Sequence, residues 1–149
     1  MIKAIIFDLD GVLVETKDIH FNALNLAIKK VCKINQAISY KDHLNKYDGL
    51  PTKEKLRLLF NDKITKAKLN NIFKEKQKIT NNLIKKKILY SGKTYKLLKL
   101  LNEKGYTICV ASNAIKSTVN SCLKILKIKK FIKYVLTNND IKKPKPHPE

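Results

Sequence analysis

Residues 7–16 read FDLDGVLVET, directly after the apolar run IKAII at 2–6. The lead-in has the composition of a buried strand, and two carboxylates at such a strand's end are costly unless they bind something. Residues i and i+2 of a strand point the same way, so Asp8 and Asp10 project together, and Gly11 lets the backbone turn behind them. Open parallel sheets bind ligands at that end of their strands. Like charges this close raise one another's pKa unless a cation intervenes. A hard, oxygen-ligated ion such as Mg²⁺ suits one or two carboxylates completed by phosphate oxygens and water. A carboxylate can also attack phosphorus itself. The plainer alternative is a DxDG turn in which Asp10 caps the next segment.

Two more β-rich runs follow, YTICVAS (106–112) and KYVLT (133–137), with KAIIFD (3–8) as the first. Leu97, Leu98 and Leu101 mark a helix before the second run, closed at Gly105 by a left-handed cap. Val119, Cys122, Leu123 and Leu126 mark a helix before the third. Strand, helix, strand at this spacing predicts a parallel α/β sheet. Residues 17–88 hold helical patterns only: His20, Leu24, Ala27 and Val31 share one face, and Leu69, Ile72, Phe73, Thr80 and Leu83 line a longer helix near 65–86. Gly49 and Pro51 break the chain between them, with Thr52 expected to cap the helix after it. Lys76 falls on the apolar stripe, where it must snorkel or face a polar cavity.

Ser112 and Asn113 sit where the second strand ends and a helix begins, a place that suits an anion or a simple cap. The loop KKPKP (142–146) holds Lys142, Lys143 and Lys145 between prolines, able to set an ammonium near the same anion or to lie solvated.

The 149 residues carry 32 basic and 12 acidic side chains, a formal charge of +20. Arg57 is the only arginine. Base-edge and bidentate phosphate recognition favour arginine, so lysine spread over every helix predicts no specific nucleic-acid binding, while non-specific attraction to polyanions needs charge alone. No run approaches the ~18 apolar residues of a membrane span. Cys32, Cys109 and Cys122 lack CxxC spacing and read as free thiols of a reducing cytoplasm.

The order DxDGVLV, SN, KPxP, with a helical insertion after the first motif, resembles the haloacid dehalogenase superfamily, in its helical-cap branch of phosphoglycolate-phosphatase-like and β-phosphoglucomutase-like enzymes. The resemblance implies a Rossmann-like three-layer parallel sheet over 1–14 and 89–149 with a helical cap over 15–88. It implies Mg²⁺-dependent hydrolysis of a small phosphorylated metabolite through an aspartyl-phosphate. Asp8 would be the nucleophile and Asp10 the acid and base, with both holding Mg²⁺. Ser112 and Asn113 would bind the phosphoryl group, and Lys143 would neutralise it, with Lys142 and Lys145 as rivals. Thr16, His20, Lys53 and Lys76 would serve the substrate side. A phosphomutase is the enzymatic alternative, and an inactive remnant or lysine-rich polyanion-binding module is the alternative of another class. The family's fourth, acidic motif has no match before Glu149, since Asp140 precedes the lysine loop. The reading therefore expects a truncated chain with an incomplete sheet and an exposed KAIIFD edge.

Overall fold

The computed structural model describes residues 2–34, 38–47 and 49–148. Contacts divide the chain into two compact units, Met1–Lys17 with Ile84–Glu149, and Asp18–Leu83.

In the first unit, β1 (Ala4–Phe7), β2 (Thr107–Ala111) and β3 (Ile132–Leu136) form a parallel sheet in the order β1-β2-β3. Rows run Ile5–Ile108–Ile132, then Ile6–Cys109–Tyr134 and Phe7–Val110–Val135, with a register shift after Ile108. The expected α/β parallel sheet is thus present. Writing the helices in chain order, the helix before β2, here α5, spans Gly92–Glu103, and α6 spans Lys116–Ile125. Right-handed crossovers that step twice in one direction place both helices over the same face. Tyr95 of α5 meets Phe131, in the turn between α6 and β3, with ring centroids 5.3 Å apart. Ile108 and Val110 are buried beneath this layer with Leu98, Val119, Cys122 and Leu123. The stripe expected on α5 is narrower than its leucines: Leu98 is buried, whereas Leu97, about 100° round the helix, is exposed. The opposite face behaves differently, with Ile6 69% and Tyr134 62% exposed.

Ser91 caps α5 by accepting from the Thr94 N–H. At its other end Gly105 has φ +79°, and the Tyr106 N–H returns to the Leu101 carbonyl at 3.1 Å. That is the left-handed cap expected there.

The second unit is helical: α1 (Lys17–Cys32), α2 (Tyr40–Asn45), α3 (Thr52–Leu59) and most of α4 (Lys66–Lys87). Leu24, Ala27, Ile28, Ile38, Leu56, Leu69 and Ile72 form its core. Each leucine and isoleucine buried there contributes roughly 1.5–3 kcal/mol. Thr52 does not cap α3 from outside; it is the first helical residue, and Pro51 takes the cap position without a side-chain bond. Pro51 has φ −59° and needs no N–H there, so the proline rather than the hydroxyl sets the start. Among the described residues, no helix is long and apolar enough to cross a membrane.

Gly105→Ala should cost about 1 kcal/mol in urea unfolding, because a Cβ there meets no atom and only the positive φ is penalised. Gly92→Ala, at an ordinary φ inside α5, should be neutral or slightly stabilising.

Candidate active site

β1 ends at Phe7, so Asp8 stands just beyond the strand, at the same sheet edge as Ser112 after β2 and Thr137 after β3. The chain then folds tightly. The Leu9 carbonyl accepts from the N–H groups of Leu13 (3.0 Å) and Val14 (3.1 Å), and the Gly11 N–H donates to Val14 at 2.8 Å. Gly11 supports this with φ +78°. Leu9 and Leu13 are buried, which anchors the turn from below and leaves both carboxylates half-buried above it.

Asp8 Oδ1 accepts from the Leu9 N–H at 2.8 Å and from Lys145 Nζ at 2.9 Å. Neither bond uses Oδ2. Lys145 Nζ also donates to the Ala111 carbonyl at the end of β2, 2.9 Å away. Lys145, one of the two rivals named beside Lys143 in the sequence reading, is thus a lysine that the structure brings to Asp8. Both side chains of the pair are about two-fifths exposed, so its direct worth to stability is small, about 0–1 kcal/mol. Something else must hold Lys145 in place.

That role falls to Asn113. Its Oδ1 accepts from the Lys145 N–H (2.9 Å) and its Nδ2 donates to the Lys145 carbonyl (3.1 Å), a two-point clamp on the backbone of the lysine. Ser112 is buried; its N–H donates to Leu136 across the sheet edge, and its hydroxyl accepts from the Ala114 N–H at 3.0 Å. The lysine loop is tied down a second time by residues the sequence reading did not assign. Asp140 accepts from both the Thr137 N–H (2.9 Å) and the Thr137 hydroxyl (2.6 Å), and the Lys116 N–H donates to Asn139 Oδ1 (2.9 Å). Those Thr137 bonds hold the Asp140 carboxyl below its ordinary value of 3.8. A T-x-x-D turn after a strand was the available signal.

Asp10 accepts from the hydroxyl of Thr16, which is buried at 1% exposure. In the helical unit, Lys76 on α4 is buried and its Nζ lies 3.2 Å from His20 Nδ1 on α1. The two nitrogens are within hydrogen-bond distance, with donor and acceptor set by the tautomer of the ring. Thr80, one turn beyond Lys76, is fully buried on the same stripe. The Lys53 ammonium lies 5.4 Å from the centroid of the Phe73 ring.

Among the described residues, no cluster of three or more Asp, Glu, His or Cys side chains could hold a metal ion. A hard cation could take oxygen donors from Asp8, whose Oδ2 is outside both bonds above, and from Asp10, the pair the sequence reading named. That set suits Mg²⁺, which fills its remaining positions with water and phosphate oxygens.

The haloacid dehalogenase-like hydrolase family matches residues 5–149. The pyrophosphatase PpaX of Anoxybacillus flavithermus is 26% identical over 99% of this chain, which spans 65% of that relative's length. A predicted phosphoglycolate phosphatase from Haemophilus somnus is similar in structure, with TM-score 0.80 and 21% identity over 99% of this chain and 67% of the other. A β-phosphoglucomutase from Clostridium difficile gives TM-score 0.79 and 27% identity over the same shares.

Near the site, burial pushes the Cys122 thiol up from 9.0 to about 12, with the charge of Asp10 adding to the shift. Cys122 should therefore stay protonated and unlabelled by a thiol reagent at pH 8, becoming reactive only on unfolding. The sign follows from the raised value: the contribution is complete below about pH 9 and lost as pH climbs towards 12. Mass spectrometry of the alkylated native protein checks it.

Proposed function

Since the chain belongs to the haloacid dehalogenase-like hydrolases, we propose that it serves a Mg²⁺-dependent phosphatase acting on a small phosphomonoester. The observation that carries this reading is the Lys145 ammonium held 2.9 Å from Asp8 by the Asn113 clamp. An uncompensated carboxylate repels a phosphate dianion. A fixed ammonium beside it offsets that repulsion and stabilises charge on the transferring oxygens.

In this proposal an Asp8 oxygen attacks phosphorus while the bond from phosphorus to the leaving oxygen breaks. Asp10, oriented by the Thr16 hydroxyl, enters as the carboxylic acid and gives its proton to that oxygen. Asp10, now a carboxylate, takes a proton from water as the water attacks the aspartyl-phosphate at phosphorus. Inorganic phosphate leaves, Asp8 is restored as a carboxylate, and Asp10 again holds its proton. Ser112 and Asn113 flank the phosphoryl position from the end of β2, and Lys145 stands in the place first given to Lys143. Mg²⁺ held by Asp8 and the Asp10 carbonyl would neutralise phosphoryl charge when bound. His20, Lys76 and Lys53 stand as the candidate substrate-recognition groups of the helical unit.

The buried Lys76–His20 pair also favours a second reading, a phosphomutase, because a mutase must hold a second phosphoryl group away from the nucleophile. Conversion of a hexose 1-phosphate to the 6-phosphate without phosphate release distinguishes it.

Phosphate release from a metabolite panel that includes pyrophosphate, with Mg²⁺, tests the main reading. Asp8→Asn should abolish turnover, a loss of ~10⁴-fold or more. Lys145→Met should lower kcat by ~10²–10³-fold, and Lys143→Met should cost less. Parental turnover in Asp8→Asn would refute the nucleophile, and the reverse lysine order would return the role to Lys143.

A further inference from the structure

We infer that the outer face of α4 is a ridge that binds the phosphate backbone of a nucleic acid without regard to sequence. This ridge is independent of the phosphatase reading. It lies on the helical unit, whose residues Asp18–Leu83 fall between β1 and β2 in the chain. Leu69, Ile72, Lys76 and Thr80 of α4 are buried. On the opposite side of the helix Ala67, Asn71, Lys74, Lys78 and Asn82 recur every three or four residues, and all are exposed. That stripe is about 22 Å long at the α-helical rise. Lys66 and Lys68, in the first turn, are exposed as well.

Uncompensated charge sets this face apart from an ordinary solvated one. Lys74 and Lys78, one turn apart, repel each other, and Lys66 and Lys68 stand where the helix dipole disfavours cations. Exposed lysines elsewhere face an acid one turn away, as Lys46 does Asp42 at 2.9 Å and Lys99 does Glu103 at 3.6 Å. In its 22 residues α4 carries one acid, Glu75, and that carboxylate accepts from Lys30 of α1 at 2.6 Å. The helix therefore keeps a repulsion that a bound polyanion relieves. Chemistry selects the polyanion. A protein partner would need an apolar or aromatic centre that excludes water, and this stripe offers lysine and asparagine beside one alanine. Those side chains donate to phosphate oxygens, and lysine, a point charge, fixes no base.

Fluorescence anisotropy of the 149-residue chain with labelled DNA and RNA duplexes of arbitrary sequence tests this. Both should bind, with log affinity falling linearly as log salt rises. Binding of one alone would still support the ridge and would name its source. Lys74→Gln with Lys78→Gln should weaken binding by about tenfold and flatten the salt slope by about 2. Lys74→Arg with Lys78→Arg should bind as the parent does. Lys93→Gln with Lys96→Gln removes the same charge at exposed positions of α5 and should leave affinity and slope near parental. Circular dichroism should match the parent throughout, since all these side chains are exposed. Polyglutamate, whose charges are about twice as far apart as those of a duplex, should displace the duplex poorly at equal total charge. Equal weakening by the two glutamine pairs would overturn the inference, because net charge alone would then account for binding. Failure to bind either duplex would overturn it too, as would efficient displacement by polyglutamate, which would make the partner an acidic polypeptide.

Discussion

A parallel sheet delivers the C-terminal end of every strand to one edge, and the chemistry proposed for this chain depends on that constraint. Asp8, Ser112 and Thr137 come from distant parts of the sequence and meet there because β1, β2 and β3 run the same way. The loops beyond them are then stitched together: the Asn138 N–H donates to Ala114, the Lys116 N–H to Asn139, and the Ser112 N–H to Leu136. Lys145, 137 residues after Asp8, reaches it only because these bonds fix where the last loop travels.

Magnitudes separate what holds the site from what the site does. The half-exposed Asp8–Lys145 pair contributes too little to organise a loop. Asn113 and Asp140, which pair with backbone groups and with Thr137, carry the placement. Because the Asp140 carboxyl sits below its usual range, its hold on the turn is complete above about pH 3.8 and fades only as pH falls through its lowered value. At neutral pH the Thr137–Asp140 turn is therefore intact, and a loop held in advance would leave little to reorganise in the proposed reaction.

Much of this was legible in the sequence. The DxDG run, the apolar triplet of strands and the leucines of α5 obey local rules, and Gly105 announced its own cap. Thr52 misled because a hydroxyl before a helix is ambiguous when a proline stands next to it and can open the helix itself. Leu97 misled because adjacent leucines cannot both face the sheet. Three lysines within four residues were indistinguishable by spacing. That Lys145 stands beside Asp8 follows from the Asn113 clamp, a contact across 32 residues that no periodicity reveals. Lys76 was visible as a charge on an apolar stripe, but its partner His20 on another helix was not.

The most direct measurement is chemical trapping of the covalent intermediate. The protein is mixed with Mg²⁺ and a hydrolysed phosphomonoester, quenched during turnover, and reduced with borohydride, which converts an aspartyl-phosphate to homoserine. Peptide mapping should place homoserine at position 8. Hydrolysis that proceeds with Asp8 unconverted, or with the conversion at Asp10, would contradict the account.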